Sequence, residues 1–391
     1  MTPLELRASI GLSGIFGLRL LGMFVILPVF AIYAEHLPGG NDLTLVGIAI
    51  GAYGLTQAVL QIPFGWWSDR IGRKPVVYIG LAIFAIGSFV AALAPNIYIV
   101  ILGRVLQGAG AISAAVIAMT ADLTREDQRA KAMAMIGSTI GASFALSLIA
   151  SPWLDRVIGV PGIFALTGLL ALAGMVVMWR FIPDAPEAPP APGRGLKDFW
   201  NVLQDPQLAR LNWGIFALHA ALMALFIVVP FSLRDAGLEL AGHWKVYLPV
   251  MLGSFVLMLP PIMQAGKPEL LRRWFIIAVA LLLAGQLALP WLTGNLWLLS
   301  LFLLAFFVPF NVLEAMLPTL TTRLAPAHAK GTAIGLYSTI QFFGTFLGAA
   351  AGGILYKHWG TAGVVVLDTV LLAIWLILAF GMRVPPVAAR A

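Results

Sequence analysis

Five ionisable side chains stand inside long apolar stretches of this sequence: Arg19, Arg104, His219, Glu314 and Asp368. Charge within a low-dielectric slab is expensive, so such groups mark ion or proton pathways by default. Glu314 follows Asn311 by three residues, which places both on one helix face. Proton coupling needs a titratable group that changes exposure between two states. Glu314 is the main candidate, with His219 as its helper and Asp368 as a third. Arg19 and Arg104 supply the opposite charge. Arg19 argues against a permanently cationic cargo and for an anionic or neutral amphipathic one. A second reading has Arg19 neutralised by Glu314.

Phe24, Tyr53, Gln57, Gln61, Phe226, Tyr337 and Gln341 occupy positions suited to a cavity. Taken singly, each reads as helix packing. Together they describe a mostly apolar cavity with a few hydrogen-bonding groups, as a small amphipathic molecule requires. Catalytic chemistry has little support. There is no cysteine, which excludes disulfides and thiolates. The glycines sit in apolar helices rather than in a phosphate-binding loop. No cofactor, no ATP use and no enzymatic reaction are expected. His219 and Met223 lie one helical turn apart and suit soft copper(I). No second pair at that spacing accompanies them, so no metal is expected.

The elements that carry these residues follow from composition. The 391 residues are 60% hydrophobic and 10% charged, against about 25% charged in a soluble globular protein. Too little polar surface remains to coat a water-soluble body. The apolar runs are continuous and about 20 residues long, enough to cross a hydrocarbon core as helix. Only helices and closed barrels satisfy every backbone group in lipid, and unbroken rather than alternating runs select helices. Spans are expected near 11–34, 44–66, 75–94, 97–120, 131–152, 160–182, 209–231, 246–264, 271–290, 296–318, 331–355 and 361–382. The first run is a full span with no small-residue cleavage site after it, so no cleavable signal is expected.

Twelve spans place both termini on one side. Four basic residues, Arg156, Arg234, Lys245 and Lys357, fall in the loops of one side, and Arg19 and Arg104 fall inside spans. The other 18 of the 24 basic residues share the side of the termini, which is therefore cytoplasmic. The net charge of +7 accordingly reflects topology control, and no nucleic-acid partner is expected. The expected partners are a small-molecule substrate, protons and the bilayer, and the chain is expected to act as a monomer.

A proline-rich stretch opens at Pro183 and reads as a semi-rigid linker. After it Leu196, Phe199, Trp200 and Leu203 recur at helical spacing, with Lys197 and Asp198 on other faces. They predict a short amphipathic helix lying in the membrane interface. The organisation is thus a six-helix bundle over 1–182, a linker over 183–208 and a second six-helix bundle over 209–391. A weak repeat supports it: Lys131-Ala-Met-Ala-Met-Ile-Gly-Ser-Thr-Ile opens span five, and Lys330-Gly-Thr-Ala-Ile-Gly-Leu-Tyr-Ser-Thr-Ile opens span eleven. Repeated halves around a central site are a recurring transporter plan.

Between spans two and three stands Gly65-Trp-Trp-Ser-Asp69-Arg70-Ile-Gly72-Arg73-Lys74-Pro75. A basic loop accounts for Arg70, Arg73 and Lys74 but not for Gly65, Asp69 and Gly72 at these spacings. The motif resembles the loop signature of the major facilitator superfamily at every characteristic position. Gly65 permits close approach of another helix. An aspartate at a helix N-terminus gains about 0.3–1 kcal/mol, and the resemblance implies that Asp69 meets the start of span eleven. It also implies that Arg73 pairs with Asp122, so that the loop latches the cytoplasmic gate. In span four, Leu102-Gly-Arg104-Val-Leu-Gln107-Gly108-Ala-Gly110 carries an arginine that the resemblance associates with proton coupling.

The likeness extends through Leu18-Arg19-Leu-Leu-Gly22-Met23-Phe24, through Gly47 to Gly65, and through Asp122-Leu-Thr-Arg-Glu. It continues in His243-Trp-Lys-Val-Tyr247 and Asn311-Val-Leu-Glu314-Ala-Met-Leu-Pro318. Over nearly the whole chain the sequence resembles the YajR-type branch of the drug:proton antiporter families. Some relatives of this branch carry a further soluble domain; this sequence runs to Ala391, just after span twelve. The resemblance implies an all-α membrane protein of the major facilitator fold in a bacterial inner membrane. It implies export of a small amphipathic molecule in exchange for protons by alternating access. One departure favours an importer or facilitator instead: Gly137 and Gly141 of the antiporter signature are present, but span five ends Ser151-Pro152-Trp-Leu-Asp155. A non-transporting membrane sensor is the third reading, which the intact latch loop opposes.

Overall fold

The computed structural model describes residues 1–184, 196–264, 267–326 and 328–383. The proline-rich stretch 185–195 lies outside them, as do the side chains of 196–198 and the end of the chain at 384–391. No strand occurs among the described residues. The helices are α1 (Pro3–Phe24), α2 (Leu27–Ala34), α3 (Leu43–Ile71), α4 (Arg73–Ala92), α5 (Ile97–Ala109), α6 (Ser113–Asp122) and α7 (Glu126–Phe181). They continue with α8 (Leu196–Gln204), α9 (Pro206–Asp235), α10 (Trp244–Leu257), α11 (Leu259–Gln264), α12 (Pro268–Ala288), α13 (Leu296–Leu324) and α14 (Lys330–Phe380).

Short polar side chains fix several helix starts. Asp42, Asn96, Asp205 and Asn295 each accept a backbone N–H in the first turn of α3, α5, α9 and α13. Each removes an orphan donor that lipid could not satisfy. Thr2 and Glu5 form a reciprocal capping box at α1. Glu5 is buried and also accepts the backbone N–H and side-chain Nε of Arg125 at 3.0 and 2.9 Å.

Among the described residues, ten helical stretches are long and apolar enough to cross a membrane, where the sequence predicted twelve spans. The difference lies in α7 and α14, which run for 56 and 51 residues. About 20 residues suffice to cross. Each contains one glycine at positive φ, Gly159 (φ 67°, ψ 170°) and Gly360 (φ 58°, ψ −148°). Each is therefore two helices joined across a kink that a residue with a Cβ rarely adopts.

Two predicted spans are broken instead. The first stops at Phe24 and restarts at Leu27, with Pro28 in the new first turn, where its missing N–H does no harm. The fourth stops at Ala109 and restarts at Ser113. Its ladder is replaced there by bonds from Ala111 N–H to Ala109 O and from Ile112 N–H to Gly110 O, both 2.8 Å.

The chain divides into two compact units, Met1–Gly193 and Arg194–Ala391. In the first, α1 packs on α7, and α5 packs on α3 and α4; in the second, α9 packs on α14, and α13 on α10 and α12. Large apolar side chains such as Val176, Leu281, Leu301 and Ile377 point outward and are exposed, as a lipid-facing surface requires. The predicted amphipathic helix is α8, but its apolar face rests on protein. Val202 joins a buried cluster with Leu208, Ala325, Ala329, Ala333 and Leu336, with Phe199 and Leu203 packed against it. Trp200, placed on that stripe from sequence, is 54% exposed.

Glycine sets how near the helices come. A Cβ on Gly344, Gly348 or Gly352 of α14 would lie 2.5 Å from Phe216 O, 2.1 Å from Ala220 O and 2.9 Å from Ala224 Cα of α9. One residue per turn on each helix thus forms a backbone-to-backbone seam. In the first unit a Cβ on Gly108 of α5 would lie 2.2 Å from Tyr53 O of α3. Gly141, by contrast, has open space beside it. Gly348→Ala is expected to lower stability by about 1–3 kcal/mol through overpacking. Gly141→Ala is expected to change it by less than about 0.5 kcal/mol. Thermal unfolding of the two purified variants in one detergent checks the contrast.

Candidate functional site

The loop between α3 and α4 is one residue long. Gly72, at φ 95° and ψ 154°, turns the chain so that α4 starts at Arg73. The Arg73 guanidinium then gathers the loop. Nε donates to Asp122 Oδ2 at 3.1 Å, and Nη1 donates to Ser68 Oγ at 2.8 Å and to Asp69 Oδ1. One arginine thereby ties the ends of α3 and α6 to the start of α4. Arg70 turns away and stacks 3.6 Å above the Trp66 ring, a cation–π contact. Lys74 Nζ reaches Asp184 Oδ1 at 2.8 Å. A Cβ on Gly65 would lie 3.3 Å from Ala114 Cβ, so α6 comes close there. Sequence reasoning missed Ser68 and Asp184. Ser68 sits inside the quoted motif, and its hydroxyl was the available signal.

In the interior of the first unit, two arginines share one aromatic ring. Arg19 and Arg104 are 2% and 0% exposed. Their guanidinium carbons lie 5.6 and 5.0 Å from the centroid of Tyr53. Arg104 Nη1 donates to Gly22 O at 3.2 Å and to Gln107 Oε1 at 2.8 Å. Gln107 in turn donates to Ser88 Oγ at 2.8 Å. Arg19 Nη1 donates to Ser113 Oγ at 2.6 Å, a residue that the break in the fourth span places at the head of α6. Nε and Nη2 of both arginines, and the Tyr53 hydroxyl, have no hydrogen-bond partner. Gln57 donates to Gln61 Oε1 at 3.0 Å, and both are buried. Phe24 packs edge-on against Phe144 at 5.0 Å.

In the second unit, the seam between α9 and α14 brings His219 to Gln341. The Gln341 Nε2 amide lies 2.8 Å from His219 Nε2 and 3.4 Å from Glu314 Oε1 of α13. Glu314 Oε2 and His219 Nε2 stand 3.9 Å apart. An amide N–H₂ with two donors fits an imidazole accepting at Nε2 and a carboxyl oxygen accepting at the same time. His219 is buried, while the Glu314 side chain is 23% exposed. Asn311, expected beside Glu314, donates instead to Ser254 Oγ of α10 at 2.9 Å. The two share a helix face but not a partner. Phe226 is buried on α9, and Tyr337 is buried one turn before Gln341 with no partner for its hydroxyl. Asp368 is fully buried, and its two oxygens have no hydrogen-bond partner.

The first unit's interior thus holds cations and the second unit's interior holds acids and an imidazole. That arrangement suits binding and moving small charged species through a membrane. It offers no activated nucleophile.

The family profile of the Major Facilitator Superfamily matches residues 12–348 and again 269–391. The inner membrane transport protein YajR of Escherichia coli is 44% identical over 388 residues, covering 99% of this chain and 85% of that protein. The quinolone resistance protein NorA of Staphylococcus aureus is 24% identical over 349 residues, 86% of each. Among solved structures, a bacterial homolog of the human lysosomal transporter Spinster, inward-facing and occupied, superimposes with a TM-score of 0.77 at 15% identity over 97% of each chain. With a profile match across most of its length and its helical fold in common, the chain belongs to the major facilitator superfamily and is a multi-pass membrane transporter rather than an enzyme.

Proposed function

We propose that the chain exports a small amphipathic molecule in exchange for protons, by alternating access. The observation that carries this reading is the Gln341 amide between His219 and Glu314, 2.8 and 3.4 Å away. A proton arriving at His219 Nε2 turns that acceptor into a donor. Gln341 must then release the imidazole, and the imidazolium gains the Glu314 carboxylate, 3.9 Å away, as its partner. Proton occupancy is thereby linked to the contact between α9, α13 and α14. The mostly apolar set of candidate cavity residues and the likeness to a quinolone resistance protein support an amphipathic cargo and outward movement.

Counting both sides of the kinks at Gly159 and Gly360 gives twelve spans in two bundles, 1–182 and 209–391, joined by 183–208. The positions of the basic residues support cytoplasmic termini, and the likeness to an inner membrane protein supports that location. In this scheme the loop held by Arg73 is the cytoplasmic gate, with Gly65, Asp69, Arg70, Gly72, Lys74 and Asp122. Asp69 closes on the start of span eleven and releases it when the bundles rock. Arg104 and Asp368 act in proton coupling, and Arg19, Phe24, Tyr53, Gln57, Gln61, Phe226, Asn311, Tyr337 and Gln341 line the cargo path. The altered end of the span-five signature, Ser151-Pro152, favours an importer or facilitator of a small metabolite as the second reading. Ser151 Oγ there donates to Val25 O, tying span five to the break in span one.

In proteoliposomes with an imposed pH gradient, substrate addition is expected to trigger proton flux in the native chain. Glu314→Gln should abolish it, and His219→Gln should slow it by about tenfold. Substrate flux that ignores the gradient would replace the exchanger by the facilitator. At the gate, a double-mutant cycle of Arg73→Gln with Asp122→Asn is expected to give a coupling energy of about 0.5–1 kcal/mol, read by thermal unfolding. Labels attached to the two termini should both be accessible only from the cytoplasmic face of spheroplasts.

A further inference from the structure

We infer that Arg19 is an anion-binding residue of the cargo path, so that the transported molecule carries a carboxylate or a similar anionic group. This deepens the transport reading above and rests on it.

Five buried polar atoms converge without partners in the first unit: Nε and Nη2 of Arg19, Nε and Nη2 of Arg104, and the Tyr53 hydroxyl. A buried charged donor left unmade costs more than almost any other defect in a protein interior. Here two such cations lie near one ring, 5.6 and 5.0 Å from its centroid. The aromatic ring attracts each guanidinium but neutralises neither. The acids whose ion pairs are described in this unit are committed elsewhere: Asp69 and Asp122 to Arg73, Asp184 to Lys74, and Glu5 to Arg125. The cluster is therefore a resident positive site awaiting an anion.

The two arginines are not equivalent. Arg104 is fixed by a backbone carbonyl and by Gln107, which is itself held by Ser88. Arg19 is held by a hydrogen bond to the Ser113 hydroxyl. That bond orients the guanidinium through Nη1 and leaves Nε and Nη2 free, the edge that can grip a carboxylate with two parallel bonds. Arg104 and Tyr53 then act as positioning residues. They keep a second positive charge close to the same ring.

Binding tests this without any proton gradient. The full chain in uncharged detergent is heated with 2-naphthoate, with naphthalene-2-sulfonate, and with the matched neutral and cationic probes 2-naphthylmethanol and 2-naphthylmethylamine. The two anions are expected to raise the melting temperature by about 3 °C or more, in the native chain and in Glu314→Gln alike. The alcohol and the amine should not. Arg19→Gln should lose the anion effect. Should that variant fail to fold, Arg19→Lys keeps the charge without the fork and should need about tenfold more naphthoate for the same rise.

Equal shifts from all four compounds, or an anion shift that survives in Arg19→Gln, would overturn the assignment. So would an anion shift seen only in Glu314→Gln, because Glu314 would then be the native counter-ion. An Arg19-dependent rise with added phosphatidylglycerol and none with the soluble anions would make the ligand a lipid headgroup and sink the cargo assignment. A naphthoate shift in a chain that moves no protons would leave the anion site standing and remove the exchange mechanism alone.

Discussion

Close backbone approach at glycine is the constraint on which both interior sites rest. Helices in lipid gain little from burying one apolar surface against another, so contact depth decides how well they hold. Along the α9–α14 seam, Gly344, Gly348 and Gly352 leave no room for a Cβ against α9. That depth is what lets the short reach of a glutamine, Gln341, meet the imidazole of His219. In the first unit, Gly108 brings the backbone of α5 onto that of α3 at Tyr53. The same approach lets Arg104, one turn earlier on α5, lie over the tyrosine ring. Larger residues at these points would push the helices apart by about a methyl diameter and uncouple the charged groups from their neighbours.

Polarity is partitioned between the two units rather than balanced within each. The first keeps two guanidinium groups on one aromatic ring. The second keeps Glu314, Asp368 and His219. A soluble protein would neutralise such charges locally, because a buried unpaired charge destabilises the fold. In the transport scheme proposed above, cargo and protons would occupy these unsatisfied donors and acceptors. Their cost is offset by the extensive apolar packing of the surrounding helices, much of which involves no functional group.

The loop held by Arg73 works by different physics. Its side chains are partly exposed, with 18% of Arg73, 38% of Asp69 and 23% of Asp122 accessible, so each pair alone is weak. Three acceptors on one guanidinium make a network whose members order one another. Because Arg73 begins α4 directly after Gly72, the network also fixes the angle between α3 and α4. A knot of this strength holds a helix junction in place while remaining within reach of disruption by a moderate competing force.

The sequence by itself determined the class of protein, its helical character and its signature loop. Apolar runs of span length leave no other way to satisfy a backbone in lipid, and Gly65, Asp69, Gly72 and Arg73 are readable because their spacing is local. It also singled out Arg19, Arg104, His219 and Glu314, since any charge within an apolar run stands out. It did not reveal which of them meet. Asn311 and Glu314 share a helix face by spacing, yet they turn to different neighbours, α10 for one and α9 with α14 for the other. Periodicity put Trp200 on one apolar stripe with Phe199 and Leu203, yet it is exposed, while Val202, which periodicity did not single out, packs into the buried cluster. The breaks at Val25–Ile26 and Gly110–Ile112 left only a proline and a glycine as traces. Partnership of side chains from distant helices is set by the rotation and depth of helix packing. Those depend on every residue along a seam at once, so only the tertiary structure decided that Ser113 holds Arg19 and that Gln341 stands between His219 and Glu314.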